Sequence, residues 1–371
     1  MDFTLGEEQQ ALKDGAERFV ADRYDFESRR KRLAALSGTD RAMWAQFAQL
    51  GWTAVLVPEA QGGLGWSMLE AAVLLEELGR GLVTEPVLEG AVLAPSLLSG
   101  CGSEAAKALL SAIVAGDMLV VPAMLEAGSR YRFDGPATTA RREGDGYRLS
   151  GGKILVAGGD EADVVLVTAD LDGRPALIAV PMSALGARRR TYRLLDGSWA
   201  ADIRFDAVQL DRDALLSDDA AHGLARAWDQ AALGAGALAV GSMEKAIQLT
   251  SAYLHTRQQF GQPLAGFQVL QHRMADLFVQ AAMAKSALLG GLAVLDGEDN
   301  ARSEGVSAAR ARIDRAALDV GNACIHLHGG MGMTEEYPVG HYYRRIVQLA
   351  RSFGDSEYHL ERYERLTMET V

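Results

Sequence analysis

The sequence predicts a multidomain α+β protein. It has a helical segment over residues 1–116, an antiparallel β-segment over 117–217 and a helical bundle over 218–371. Three observations predict this. Apolar residues recur at helical spacing near the start of the chain. Short apolar runs broken by Asp-Gly and Gly-Gly turn signals follow. Long helical stretches, the first of them rich in Ala and Gly, then follow across a short polar loop, the pattern of antiparallel helical neighbours.

The elements follow in chain order. Gln10 to Val20 and Leu69 to Leu78 carry helical spacing, and Thr4 followed by Glu7 and Glu8 predicts an N-terminal cap with an acidic first turn. Pro58-Glu-Ala-Gln-Gly-Gly-Leu-Gly65 must be a turn or loop between helices. Strands are expected over Met118 to Val121, Tyr147 to Ser150, Val164 to Thr168 and Ala176 to Val180. Long helices are expected over Leu224 to Arg257, Gln268 to Leu295 and Arg302 to His328, with a polar loop near Asp296 to Asn300. The Ala and Gly content of the first of these permits close helix–helix approach.

Composition narrows the class. At 371 residues, with 49% apolar and 23% charged residues, the chain is long enough for large buried cores. A formal net charge of −12 argues against nucleic acid as a partner, and the clusters Arg188 to Arg190 and Arg344-Arg345 read as solvated faces. Two distant cysteines, Cys101 and Cys324, and an acidic N-terminus without export or transit character predict a cytoplasmic protein without disulfides. No apolar run predicts a membrane span, and the seven histidines show no metal-ligand spacing.

Two motifs carry the chemistry. The first is Tyr253-Leu-His-Thr-Arg257-Gln-Gln-Phe260-Gly-Gln-Pro263-Leu, continuing to Phe267-Gln268. The second is His326-Leu-His-Gly329-Gly330-Met-Gly332-Met, followed by Glu336-Tyr-Pro-Val339. Both closely resemble the FAD-dependent acyl-CoA dehydrogenases, and the resemblance spans nearly the whole chain. It implies an N-terminal α-helical domain, a middle antiparallel β-domain and a C-terminal four-helix bundle. It also implies that Arg257 meets the FAD pyrophosphate, where a planar guanidinium grips phosphate bidentately. By the same resemblance Phe260 packs on the cofactor and Gln268 hydrogen-bonds it. His326, in place of the usual glutamine, and Gly329 and Gly330 contact the adenine-side half of an FAD held mainly by a neighbouring subunit.

The middle segment departs from the family. Where the family has Thr-Glu-Pro-x-Ala-Gly-Ser-Asp, this chain reads Met124-Leu-Glu-Ala-Gly-Ser-Arg130. Where the family has Lys-x-Trp-Ile-Thr-Asn against the flavin ring, it reads Lys153-Ile-Leu155-Val-Ala157-Gly. Leu155 keeps a surface for a ring to pack on, and Ala157 has no hydroxyl to donate.

The catalytic carboxylate is also missing. Desaturation of an acyl-CoA needs a base for the α-proton, worth ~10²–10⁴-fold in rate. The family's two alternative glutamate positions correspond here to Phe353 and Ala231. Asp229 and Asp355 lie two residues away. On a helix that offset turns a side chain by ~200°, which aims Asp229 elsewhere. Asp355 follows Gly354 and stands as a weak catalytic candidate; the competing expectation is that it caps a helix over Ser356 to Met368.

The overall pattern is similar to the small subunit of pimeloyl-CoA dehydrogenase and related unequal-subunit enzymes. That implies a base-lacking subunit whose larger paralogue supplies the glutamate and most of the pocket for a medium-chain, dicarboxylic or polycyclic acyl-CoA. The assembly would be a dimer or tetramer, with an electron-transferring flavoprotein as acceptor. Two alternatives stay open: a self-sufficient dehydrogenase, oxidase or monooxygenase on the same fold, and a non-catalytic pseudoenzyme binding acyl-CoA or a partner.

Overall fold

The structure is a computed structural model that describes residues 5–133 and 135–369. The chain opens with α1 (Glu7–Arg23), α2 (Phe26–Ala35), α3 (Arg41–Gln49) and α4 (Met68–Arg80). A π-helical turn over Leu88–Leu93 leads into α5 (Ala94–Ser99) and α6 (Glu104–Ala115). Thr4 lies outside the described residues; the residue preceding α1 is Gly6, whose amide donates to Gln9 Oε1 at 3.0 Å. The Pro58–Gly65 stretch is a short 3₁₀ turn closed by Gly62 and Gly65 at positive φ, as its composition requires.

Eight strands follow: β1 (Val120–Ala123), β2 (Thr139–Glu143), β3 (Gly146–Ala157), β4 (Val164–Leu171), β5 (Arg174–Pro181), β6 (Ala187–Arg193), β7 (Trp199–Leu210) and β8 (Leu215–Ser217). They form one sheet in the order β6-β7-β3-β2-β4-β5-β8, with β1 also on β4. The pairing is antiparallel as expected, except that β1 and β2 both run parallel to β4, end to end along one of its edges. Such long-range pairings leave no trace in local alternation, which is why the sequence shows only an antiparallel pattern.

The rest is helical: α7 (Ala221–Thr256), the two-residue strands β9 (Gln258–Gln259) and β10 (Gln262–Pro263), α8 (Gln268–Ala293), α9 (Asp299–His328), α10 (Val339–Leu349) and α11 (Ser356–Glu369). The expected four-helix bundle therefore gains a fifth helix, α10, which packs on α9 as α8 and α11 do.

The chain divides into two compact units. One contains residues up to 34, 72–83 and from 232 onward; the other contains 35–71 and 84–231. In the second, Trp44 and Phe47 of α3 are fully buried, with the Phe47 ring 5.0 Å from Trp52. The β1 and β4 strands carry unbroken buried apolar runs there.

In the first unit, small residues set the spacing of α4 and α7. A Cβ at Gly241 would overlap the Glu76 carbonyl, and one at Gly79 would overlap that of Leu238. The Ser242 hydroxyl donates to the Leu238 carbonyl at 2.8 Å and also reaches that of Gly79 at 3.1 Å. Gly241→Val should therefore lower stability by roughly 3 kcal/mol or more, read as a fall in the urea midpoint. Gly223→Ala, exposed on the same helix with open space around it, should instead raise stability by up to ~1 kcal/mol.

Candidate functional site

The first motif closes α7 and opens α8. The helix ends where the Arg257 amide donates to Tyr253 O at 2.8 Å, and the chain reverses through β9 and β10. Phe260, at the tip of that hairpin, has a left-handed backbone (φ 54°) and is 89% exposed. For a non-glycine residue this conformation costs ~1 kcal/mol or more, and an apolar ring left so exposed is not serving this chain's own core. The Phe267 ring stands edge-on to it at 6.1 Å. Arg257 and Gln268, the first residue of α8, are also exposed.

The second motif closes α9. Gly329 has φ 58°, and a Cβ on either Gly329 or Gly330 would meet nothing within 4 Å. The backbone is thus bare at the surface and open to close approach by a ligand. His326 is exposed beside it. The two motifs are brought together by aromatic packing that the sequence reading missed. His328 is buried, its ring stacked on Tyr253 at 4.5 Å and set against Tyr337 at 5.0 Å. His328 Nδ1 donates to Cys324 O at 2.7 Å, while burial holds the ring below its usual pKa and so neutral. Tyr253 is one turn before Arg257, and His328 immediately precedes Gly329. This end of the first unit therefore presents a guanidinium, an amide, an exposed ring and bare backbone. That donor set fits a pyrophosphate with an attached planar base.

Leu155 belongs to the second unit. It sits at a bulge where β3 slips against β7, with φ 53° and 52% exposure. Its amide points at Tyr192 Oη (3.3 Å) and Asp202 Oδ1 (3.4 Å), and the Tyr192 hydroxyl donates to Asp202 at 2.7 Å. Burial and the Asp202 carboxylate push the Tyr192 hydroxyl up to about 12.

Two residues earlier, Lys153 is buried. Its ammonium donates to Glu126 (2.6 Å), Thr168 Oγ1 (2.8 Å) and Met124 O (3.3 Å). Burial lowers Lys153 to about 8 against the pull of Glu126. Burial also disfavours the Glu126 anion, but hydrogen bonds from Lys153 and the Thr138 amide outweigh it and hold that carboxyl low. The pair is therefore ionic at neutral pH. Glu126→Gln or Lys153→Met alone should cost roughly 3–5 kcal/mol, read in urea unfolding, because each strands a buried charge or donor set. The double variant Lys153→Met/Glu126→Leu should recover part of that loss.

At the two positions of the absent carboxylate, Ala231 is fully buried on α7, three residues beyond a buried Trp228 whose ring lies 4.7 Å from Phe133. Asp229 is fully buried as well. Phe353 occupies a turn between α10 and α11 with φ 60°, followed by Gly354 at φ 106°. Asp355 Oδ1 accepts the Tyr358 amide at 2.9 Å, so the weak catalytic candidate is the cap of α11.

The turn rests on a buried polar group that the sequence reading also missed. Arg310 of α9 is fully buried, and its Nη2 reaches Ser352 O (3.0 Å), Leu349 O (3.1 Å) and Gly354 O (3.4 Å). Asp314 Oδ1 lies 3.0 Å from Arg310 Nη2. His359 Nε2 lies 3.1 Å from Phe353 O, and burial first, then Arg310 and Arg362, keeps this imidazole neutral. Burial pushes Asp314 up to about 7, against the pull of Arg310 and with that of Asp355. The sequence offers only an Arg-x-x-x-Asp pair, repeated at Arg315 and Asp319, in a helix that also carries Arg302, Glu304 and Arg312.

No described helix is long and apolar enough to cross a membrane. Comparison with known proteins places these features in one family. The profile for the acyl-CoA dehydrogenase N-terminal domain matches residues 6–117, and that for the C-terminal domain matches 224–366. The chain is 33% identical over 324 residues to the acyl-CoA dehydrogenase FadE28 of Mycobacterium tuberculosis, covering 86% of this chain and 90% of the relative. Its fold superimposes on the ChsE4–ChsE5 complex of Mycobacterium tuberculosis with a TM-score of 0.91 at 28% identity, covering 100% of each chain. For a variant of the Tcur3481–Tcur3483 steroid ACAD the TM-score is 0.90 at 30% identity, covering 99% of each. The exposed surface around Arg257 and Gly329 is thus set in a matching fold with matching sequence, and this chain belongs to the acyl-CoA dehydrogenase family, whose members are FAD-dependent oxidoreductases.

Proposed function

We propose that this chain is the base-lacking subunit of a heteromeric acyl-CoA dehydrogenase, completing an FAD site with a larger paralogue that carries the catalytic carboxylate. The observation that carries this is the turn at Phe353: its backbone is left-handed, and its side chain cannot accept a proton. Ala231, at the alternative position, is equally unable.

Arg257 would hold the pyrophosphate, Gln268 and His326 would offer polar contacts, and Phe260 would cover the cofactor. Gly329 and Gly330 would let the backbone come close. FAD, when bound, supplies the hydride acceptor. Leu155 offers only an apolar surface on its own unit, and Ala157 no hydroxyl, so orientation of the flavin ring falls to the partner.

The partner surface has a candidate in α8, where Ala275, Phe278, Val279, Ala282 and Met283 are exposed at helical spacing. The likeness to the two-component ChsE4–ChsE5 and Tcur3481–Tcur3483 assemblies supports the heteromer. The latter, a steroid ACAD, points to a polycyclic acyl-CoA within the wider class of medium-chain and dicarboxylic thioesters. The segments 1–116, 117–217 and 218–371 are taken as the modules of this subunit, and an electron-transferring flavoprotein as its acceptor, on the family likeness.

An anaerobic visible spectrum of the purified chain, before and after addition of octanoyl-CoA, tests the proposal. No bleaching is expected from the chain alone, and bleaching is expected once the larger partner is co-purified. Flavin that bleaches in the isolated chain would overturn the incomplete-subunit reading in favour of a self-sufficient enzyme.

A further inference from the structure

Residue 353 has a backbone conformation that its own side chain does not explain. A phenyl ring carries no polar atom with which to stabilise φ 60° locally, as an Asn or Asp side chain can, so the surroundings must impose it. The carbonyl of Phe353 itself is held by His359 Nε2 at 3.1 Å. On either side of it, the Ser352 and Gly354 carbonyls converge on Arg310 Nη2, as does Leu349 O at the end of α10. Gly354 is required as glycine, because a Cβ there would collide with Tyr358 and with His359 Nε2.

This is an expensive way to hold a surface turn. Arg310, Asp314 and His359 are all fully buried. Arg310 Nε and Nη1, His359 Nδ1 and Asp314 Oδ2 have no hydrogen-bond partner among the described residues, and Asp314 Oδ1 has its ion pair with Arg310. Desolvating so much polarity is unfavourable unless it fixes something. What it touches is one turn.

We propose that Arg310, with Asp314 beside it and His359 across the turn, is the positioning residue that sets the direction of side chain 353. The fold thereby preserves a socket for that side chain independently of what fills it. This rests on the reading above only in identifying 353 with the family's base position; the positioning itself stands on the contacts of α9, α10 and α11. Apart from its ion pair with Asp314, Arg310 reaches the turn through backbone carbonyls, and so acts through residue 353.

Hydrogen exchange followed by mass spectrometry on the full chain tests it, comparing Arg310→Met, Arg310→Lys and the double variant Arg310→Met/Asp314→Asn. The double variant removes both members of the buried pair and guards against simple misfolding of the first. Amides of Arg351, Ser352 and Tyr358 should exchange about tenfold faster in Arg310→Met and in the double variant, with α1 and α8 unchanged. Arg310→Lys, which keeps a cation for the carbonyls, should restore part of the protection. Unchanged turn protection in both the single and the double variant would overturn the proposal. So would equal loosening of every helix in the unit, which a purely structural arginine would give. FAD retention by the chain with its partner is read in parallel. Its absence in the parent would sink the functional reading while leaving the exchange result intact.

Discussion

Arg257→Glu should release FAD from the assembled enzyme while leaving the fold untouched. The parent guanidinium stands at the exposed end of α7, within a turn of the Tyr253–His328 stack that joins the two motifs. Hydrogen bonds to a charged partner contribute ~1.5–3 kcal/mol each. A bidentate grip on pyrophosphate is therefore worth roughly 3–6 kcal/mol, or about 10²–10⁴-fold in Kd. Reversing the charge removes that and adds repulsion. Arg257→Lys keeps the charge but loses the planar fork, so about tenfold weakening is expected. Flavin retained through gel filtration and its fluorescence titration measure both. Because Arg257 is exposed, the urea midpoint should move by less than ~0.5 kcal/mol equivalent. Full flavin retention by Arg257→Glu would remove this surface from the cofactor site.

What was legible in the sequence, and what was not, follows from how far each interaction reaches along the chain. Long helices such as α7 and α9 declare themselves because 36 and 30 residues of consistent spacing outweigh any local ambiguity. The glycines that bring α7 against α4 were visible as composition, though not their target at Glu76. Strands β6 and β7 were missed for a physical reason. Arg188, Arg190, Asp202, Arg204 and Asp206 share one charged face, while small Ala200 and Ala201, on opposite faces, are both buried. The apolar alternation that marks a strand is thereby blurred.

The Arg188–Arg190 cluster proved half right as a solvated face. Arg189 turns inward to the carbonyls of Asp160 (2.5 Å), Ala162 (3.1 Å) and Gly159 (3.2 Å). Residues of the candidate cofactor surface were legible because each lies in a contiguous motif. Arg310 was not, because a buried arginine in a helix reads like a solvated one, and its acceptors are backbone carbonyls 39 to 44 residues further on. Backbone carbonyls carry no sequence identity to read.

Phe353→Glu is the substitution from which a gain of chemistry is expected. The turn at 353 is already held in its left-handed form by Arg310 and His359. Glutamate, like phenylalanine, is not β-branched, so the backbone strain at φ 60° is unchanged and the fold should tolerate the exchange. A carboxylate there stands where the resemblance puts the family's base. A positioned general base typically contributes ~10²–10⁴-fold. Exchange of the octanoyl-CoA α-protons in D₂O, followed by mass spectrometry, isolates this step because it needs no hydride transfer. The parent should give none above solvent background, Phe353→Glu should exchange at least ~10²-fold faster, and Phe353→Gln should match the parent. The two outcomes separate two ways of being incomplete. Exchange by Phe353→Glu would mean that the chain retains an acyl-CoA site and lacks only its base. No exchange by a folded Phe353→Glu protein would mean that the acyl site, and not just the glutamate, belongs to the partner. The preserved turn would then serve the interface between the two subunits.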